Sequence, residues 1–568
     1  MTLLALIATG SVGAGVAAWG LGRGGRPAEI GALVGWLSLI AVLVLALGME
    51  APRVGSGTPA GGLAAFNGHL VPNDYLRLVV GLWALDAVLF VAIGWLLGGL
   101  EGLRGLLPAT LAAIVGGTVA FAATDLTLGS LAAGAVGLSA LAVLLVGRDA
   151  VTAAARELRV AIAGTAVLIV VAAAAPAAAS LVFDALGTAP DSGLPPTAVP
   201  TEAGAMIGLL AVAVALVAAV RLGSIPFHLR VPRLADVAPP ISLPLLLAWI
   251  PVPLGIAGIA ITDRLLAPLA LSLGGEQALI VGIALLTLVA GALAAFISDD
   301  LRHATGYLVI ADGGLVLLGF AALDPAAWGP TRVWLVAMAA SKTAVLAWAA
   351  VMEDRFETRA IPDLRGWLRH SPIMGAALAV AIVATYGLPG WVAFEARIDL
   401  AHLSGSSISW LIVIAGFATL PTYARLLAVG LGPATSRVRK AAPERVSRRR
   451  RTESLPVTLE GGPATAATAA GGGVLAADAA TGDDEGSPVE DIAPPAHRRV
   501  ARTRAGAKAL EMSLASRVAA ALRRDRTELL AAAVLALAIL AGLTSWGALD
   551  LGGAASEAAP IVSGPSTD

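Results

Sequence analysis

The composition of this 568-residue chain excludes an ordinary soluble protein, because 57% of its residues are hydrophobic and only 14% are charged. A soluble domain carries about a quarter charged residues, so most of this chain is expected to lie in lipid. The net charge of −1 excludes nothing, since basic and acidic residues occupy different segments. The absence of cysteine excludes disulfides, thiolate metal sites and cysteine-bound iron–sulfur clusters.

Fourteen apolar stretches are long enough to cross the hydrocarbon layer, which takes about 20 helical residues. The first lacks a basic flank and a small-residue cleavage site, so we expect it to remain as a helix. The predicted spans are 2–20, 29–49, 76–99, 106–122, 126–147, 160–186, 203–222, 240–262, 277–297, 304–323, 330–351, 371–400, 408–431 and 528–548. This pattern predicts an all-α, polytopic membrane protein.

Arginines fall on alternate connections between these spans, for example at Arg23, Arg104, Arg156 and Arg230. By the positive-inside rule, these connections face the cytoplasm and both termini lie outside the cell inner (plasma) membrane. Residues 432–527 interrupt the pattern with a basic, polar stretch that ends in an alanine-rich, arginine-studded piece. We predict a largely disordered cytoplasmic loop with an amphipathic surface helix. This loop either binds anionic lipid or a partner subunit, or it serves only as a linker to the last span.

Prolines and ionisable residues interrupt the apolar pattern at residues 224–240, directly after Arg221. The segment contains Pro226 and His228. Because lipid cannot satisfy freed backbone groups, a span broken here must face protein or water. In transporters, such interrupted helices mark ion paths.

The residues from Arg221 to His228, followed by Pro232 and Ala238-Pro239, resemble a family signature, K-L-G-x-x-P-F-H-x-W-x-P-D-x-x-x-x-A-P. It belongs to the antiporter-like membrane subunits of respiratory complex I, Mrp-type antiporters and membrane-bound hydrogenases. Further similar segments follow in the family's order, at Asp300–Tyr307, Ala339–Ala344, Ile361–Gly366, Gly387–Gly390 and Tyr423–Arg425. The resemblance covers about residues 126–430 and is nearest to subunit N.

The resemblance implies two inverted five-helix repeats, each with a broken helix, one at Pro226 and the other at Pro389 and Gly390. The implied regions are N-terminal spans at 1–125, an antiporter-like core at 126–431, a loop at 432–527, and a last span with its outer tail at 528–568.

The ionisable positions of the family are altered in this chain. Proton-translocating members carry a glutamate on the fifth helix, where counting from Asp125 reaches Gly134. The lysines of the two broken helices fall at Arg221 and Arg397, and Pro251 replaces a third. Buried lysine can release its proton, whereas the pKa of arginine begins near 13, so deprotonating arginine at pH 7 costs about 8 kcal/mol. We interpret both arginines as fixed charges, and the usual glutamate–lysine couple as lost.

Lys342 is the one lysine that remains inside a predicted span, and such a residue is functional by default. Asp312, at the position of a family histidine, is its candidate partner, either in a proton path or in a static ion pair. Asp86 is likewise predicted to be buried in the third span, with no partner that the sequence identifies.

Other candidates for the proton path carry alternative interpretations. His228 is either a proton relay or a hydrogen-bond partner of carbonyls freed at the break. Arg221 lies on a central polar axis or snorkels toward the cytoplasmic surface. Glu395 and Asp399 share one helix face and, with Arg397, form an ion exit or an interfacial cluster.

Three functional hypotheses follow from the family resemblance and from the altered ionisable positions. The first is a membrane-arm subunit of a complex I-like NADH-quinone oxidoreductase, coupling electron transfer in partner subunits to proton translocation. The second is an Mrp-type cation/proton antiporter subunit, and the third is a degenerate scaffold that no longer pumps. The predicted partners are other membrane subunits and the lipid bilayer, with no nucleic acid. No cofactor is expected in this chain, because it has no nucleotide loop, cluster ligands or flavin motif, so redox chemistry is expected in partner subunits. A stand-alone enzyme is not expected, because the sequence shows no nucleophile–base pair or metal cluster.

Overall fold

A computed structural model describes residues 1–49, 70–146, 150–187, 201–263, 274–321, 325–403, 408–441 and 526–557. These ranges are helical apart from turns and two isolated bridges, which pair Leu70 with Ala123 and Asp300 with Ala360. Most of the predicted loop of residues 432–527, including its surface helix, lies outside the described ranges.

The helices are α1 Thr2–Arg23, α2 Gly25–Leu47, α3 Asp74–Leu103, α4 Leu106–Ala122, α5 Leu126–Leu144, α6 Val151–Gly187, α7 Thr201–Leu222, α8 Arg230–Val237, α9 Pro251–Ile261, α10 Gly274–Ile297, α11 Leu301–Leu318, α12 Trp328–Phe356, α13 Trp367–His370, α14 Pro372–Tyr386, α15 Val392–His402, α16 Ser409–Gly416, α17 Leu420–Leu431, α18 Ser436–Ala441, α19 Arg526–Trp546 and α20 Leu551–Glu557.

Each of the fourteen predicted spans coincides with a helix or a pair of helices. By length and composition, 11 helical segments of the described residues can cross a membrane, and α4 and α14 are shorter apolar helices. The remaining span is α11, which is less apolar because it carries Arg302, His303 and Asp312. The prediction of an all-α polytopic fold is confirmed.

Two successive groups of five spans share one layout. The first runs from α4 to the helical segment Pro240–Ile261, and the second from α10 to α17. In each group the fourth span is broken, between α7 and α8 in the first and between α14 and α15 in the second. Because five is odd, the second group enters the membrane from the opposite side, which makes the repeats inverted.

Glycine makes both breaks possible. Gly223 follows α7 with φ +70°, and Gly387 follows α14 with φ +69°. The φ and ψ of Gly387, 69° and 173°, belong to a region that is open essentially to glycine alone. The chain therefore leaves the helical path at these points, and the prolines that follow, Pro226 and Pro389, lie in the turns.

Helix α12 occupies the centre of the bundle and contacts α3, α11, α14 and α15. Its membrane-length window is 100% buried by the protein itself, whereas the corresponding window of α6 is only 28% buried. Lys342, near the middle of α12, therefore faces protein and not lipid tails.

Candidate functional site

Lys342 and Asp312 form an ion pair in the centre of the bundle. The Lys342 Nζ lies 2.5 Å from the Asp312 Oδ2, and both side chains are buried. The Lys342 ammonium also donates a hydrogen bond to the Tyr423 hydroxyl at 3.2 Å. Two charges taken out of water in this way need close geometry and further hydrogen bonds. The geometry is close, but the further hydrogen bond is on the lysine side, since neither Asp312 oxygen has a hydrogen-bond partner among the described residues.

Arg397, on the second half of the second broken helix, lies in the same region and is fully buried. Its guanidinium donates to the carbonyl of Thr385 at 2.7 Å and to the carbonyl of Gly416 at 2.9 Å. These carbonyls belong to the last turns of α14 and α16, where helix ends carry partial negative charge. Helix ends, and not carboxylates, therefore hold this arginine.

Three aromatic rings complete the environment of Arg397. The guanidinium carbon lies 4.6 Å from the ring centre of Trp334, 4.9 Å from that of Tyr386 and 5.1 Å from that of Phe417. Planar arginine is well suited to such stacking, and each ring adds attraction to the cation. The arginine is thus fixed in place as a permanent charge.

We call Asp312, Lys342, Tyr386, Arg397 and Tyr423 the central charge cluster. The two tyrosine rings meet edge to face at 6.1 Å, with Arg397 against the Tyr386 ring and the Lys342–Asp312 pair beside the Tyr423 hydroxyl. Two cations and one carboxylate are therefore buried in the same region, and only the lysine is able to release a proton. The arrangement is suited to storing and releasing one proton.

A second cluster lies at the first broken helix, and it contains an acid that the sequence analysis missed. Arg230 binds both carboxylate oxygens of Glu157, at 2.7 and 2.6 Å, and also donates to the Arg221 carbonyl at 2.7 Å. The Arg221 guanidinium lies 3.6 Å from the same carboxylate. We call these three residues the arginine–glutamate cluster.

Arg221 is buried inside the protein. A Cβ atom on Gly137 of α5 would lie 2.0 Å from the Arg221 Nη2, so this glycine provides the space for the guanidinium. The three guanidinium nitrogens have no hydrogen-bond partner among the described residues. Glu157 is consequently the principal compensation for this charge.

The sequence analysis interpreted the usual glutamate–lysine couple of the first repeat as lost, and it did not predict the buried acid that pairs with arginines there. Gly134 indeed leaves no acid on α5, and a Cβ there would lie 2.0 Å from the Thr165 hydroxyl oxygen. The acid comes instead from Glu157 on the neighbouring helix α6. The sequence signal for this acid was a glutamate between Arg156 and Arg159, in a connection that we used only to predict the orientation of the chain in the membrane.

The remaining predicted site residues lie away from the central charge cluster. His228 is partly exposed in the turn between α7 and α8, and its Nδ1 has no hydrogen-bond partner within the described ranges. Glu395 and Asp399 are exposed on the face of α15 opposite Arg397, so the structure does not bring the three together. Glu395 instead accepts a hydrogen bond from the Gly390 N–H at 3.0 Å, within the second break.

Metal ligation has no support within the described ranges, where no group of three or more histidine or acidic residues is placed to hold a metal ion. A bundle of broken helices with buried charges at the breaks is typical of membrane proteins that move ions. This is the class that the fold and the central charge cluster define.

Comparison with known proteins identifies the family within this class. The family model described as "NADH:quinone oxidoreductase/Mrp antiporter, TM" matches residues 123–422, more than half of the chain, and the chain belongs to this family. NADH-quinone oxidoreductase subunit N 1 of Streptomyces griseus is 30% identical over 240 residues, covering 41% of this chain and 49% of that protein. The chain thus matches about half the length of this relative, and less of others with the same name.

Solved structures share the fold at lower identity. A chain of the Mrp complex from Dietzia is 16% identical with a TM-score of 0.57, and the match covers 76% of this chain and 80% of that one. A chain of respiratory complex I from Thermus thermophilus is 19% identical with a TM-score of 0.50, covering 78% and 94%. At these identities the likeness shows the fold alone.

Proposed function

We propose that this chain is a proton-translocating membrane subunit of a complex I-like NADH-quinone oxidoreductase, in which partner subunits carry out electron transfer. The observation that carries the proposal is the buried Lys342–Asp312 pair at 2.5 Å on the central helix. The chain would lie in the bacterial plasma membrane with its arginine-rich connections in the cytoplasm.

The mechanism uses competition between two cations for one carboxylate. While Asp312 pairs with Lys342, the lysine retains its proton because the counter-charge stabilises the ammonium. If Asp312 moves toward Arg397, the ammonium loses that stabilisation in a low-dielectric interior and releases its proton. Return of Asp312 restores the affinity of the lysine for a proton from the other side.

The arginine–glutamate cluster would have a different role, since neither of its arginines can lose a proton at neutral pH. Glu157 is bound at both oxygens by Arg230 and is close to Arg221. We assign this cluster to anchoring the first broken helix, and proton translocation to the second repeat. The degenerate-scaffold hypothesis would then describe the first repeat only.

An Mrp-type antiporter is the second candidate, because the structural likeness includes a chain of an Mrp complex at a TM-score of 0.57. Purification from native membranes in mild detergent, followed by identification of the co-purifying subunits, separates the two. We expect subunits that oxidise NADH or reduce quinone, and NADH-driven proton movement in vesicles that contain the complex. Co-purification of small antiporter subunits alone, with no NADH-driven proton movement, would contradict the proposal.

A further inference from the structure

Asp86 on α3 is a fully buried carboxyl group that the proposed mechanism does not use. Neither of its oxygens has a hydrogen-bond partner among the described residues. It also lies outside residues 123–422, the region that matches the family. A buried acid without a partner is unusual enough to require an explanation.

Two tryptophans adjoin Asp86. Trp83, one helical turn earlier on α3, stacks on Trp249 with ring centres 5.1 Å apart and planes 7° apart. The indole N–H of Trp249 lies near the Asp86 carboxyl group but forms no hydrogen bond with it. Gly117 on α4 provides room for this stack, since a Cβ there would lie 2.5 Å from the Trp83 ring.

Trp249 ends a π-helical turn, Pro244–Trp249, and such turns are frequent at functional sites. The turn is followed by Pro251 and Pro253, which have no N–H to donate to carbonyls one turn earlier. Backbone carbonyls close to Trp249 therefore lack their usual helical donors.

Asp86 lies at the same depth in the bundle as Lys342. Near the starts of α3 and α12, the Tyr75 hydroxyl donates to the Arg332 carbonyl at 3.2 Å, and near their ends Gly98 and Asp354 line one cavity. The helices are thus parallel, and Asp86 is 11 residues beyond Tyr75 while Lys342 is 10 beyond Arg332. At 1.5 Å per residue, both lie about 16 Å along their helices.

Few charged groups surround this position. The elements packed against α3 are α1, α2, α4, α12, α20 and the turn Pro240–Ser242. By sequence, α4 and residues 240–249 carry no ionisable side chain, and those of α1, α2 and α20 lie at helix ends. The ionisable residues of these elements are Arg23, Arg26, Glu29, Arg332, Lys342, Glu353, Asp354, Arg355 and Glu557. Of these, Lys342 alone lies at the depth of Asp86.

We propose that Asp86 is a second proton-binding site of this chain, on the α3 side of the central helix, and that it holds its proton at neutral pH. An ionised carboxylate without a cation or hydrogen bonds is strongly disfavoured in an apolar interior, whereas the neutral acid is tolerated. This inference does not depend on which complex the chain belongs to or on Lys342 carrying protons.

Infrared difference spectroscopy of the purified complex in lipid tests the proposal. At pH 7 the wild type should show the C=O stretch of a protonated carboxylic acid, which Asp86→Asn should remove. Asp312→Asn is the matched control, and it should remove a carboxylate band while leaving the acid band intact. Loss of a carboxylate band from Asp86→Asn, with the acid band unchanged, would overturn the proposal.

Trp249→Phe gives a second measurement that leaves Asp86 in place, should Asp86→Asn fail to assemble. Removal of the indole N–H should shift the frequency of the acid band without abolishing it. An acid band at the wild-type frequency in Trp249→Phe would contradict a protonated Asp86 beside Trp249.

Discussion

Lys342 and Arg397 have different surroundings, which fit the separate roles proposed for lysine and arginine in this chain. Arg397 is held by two backbone carbonyls and three aromatic rings, which suits a charge that never changes. Lys342 has one carboxylate and one hydroxyl as partners, and both are able to move or rotate. The fixed charge of arginine and the releasable proton of lysine were predictable from their proton affinities. The carbonyl partners of Arg397 were not predictable, because backbone groups have no sequence signature.

Gly134 illustrates how a single position excludes the family's acidic residue. A Cβ at this position would lie 2.0 Å from the Thr165 hydroxyl oxygen, so Gly134→Ala should destabilise the protein by about 1–3 kcal/mol through overpacking. Thermal unfolding in detergent measures this change. Gly282→Ala on α10 is the control, since no atom lies within 4 Å of a Cβ there, and it should be close to neutral. Equal effects of the two substitutions on thermal unfolding would show that crowding by Thr165 does not cause the destabilisation.

At the scale of helices, the breaks were predictable and their stabilising contacts were not. Proline and glycine at the two breaks are local signals, and both breaks are present in the fold. The pairing of Glu157 with Arg230 joins two helices that are distant in sequence. Counting residues along the fifth helix to the position of the family's glutamate therefore led to Gly134. The same count could not find Glu157, which lies on the next helix.

The arginine–glutamate cluster joins α6 to the first broken helix, and its removal tests that connection. Glu157→Gln should destabilise the protein by about 3–5 kcal/mol, because the buried Arg221 would lose its counter-charge. Adding Arg221→Met should restore part of the loss, which a double-mutant cycle of unfolding midpoints would detect. Glu353→Gln is the matched control, since the Arg302–Glu353 pair is similar in geometry but more exposed, and it should cost less. Strictly additive effects of Glu157→Gln and Arg221→Met would contradict the connection.

At the scale of the whole molecule, the length of the apolar runs and the order of weak motifs were sufficient to predict the fold and the family. The fourteen predicted spans coincide with helices because membrane thickness fixes their length. The site was only partly predictable. Burial at the centre of α12 follows from the apolar sequence around Lys342, but the exposure of Glu395 and Asp399 depends on how α15 is rotated, which one helix cannot reveal.

The measurement that tests the central claim most directly is proton translocation by the purified complex in sealed vesicles, followed with a pH-sensitive dye, after Lys342→Arg and Lys342→Met. Arginine preserves the charge facing Asp312 and cannot release it, whereas methionine removes the charge. We predict that proton translocation falls to background in both variants and that Lys342→Arg retains an unfolding midpoint close to that of the wild type. Proton translocation at the wild-type rate in Lys342→Arg would contradict the account.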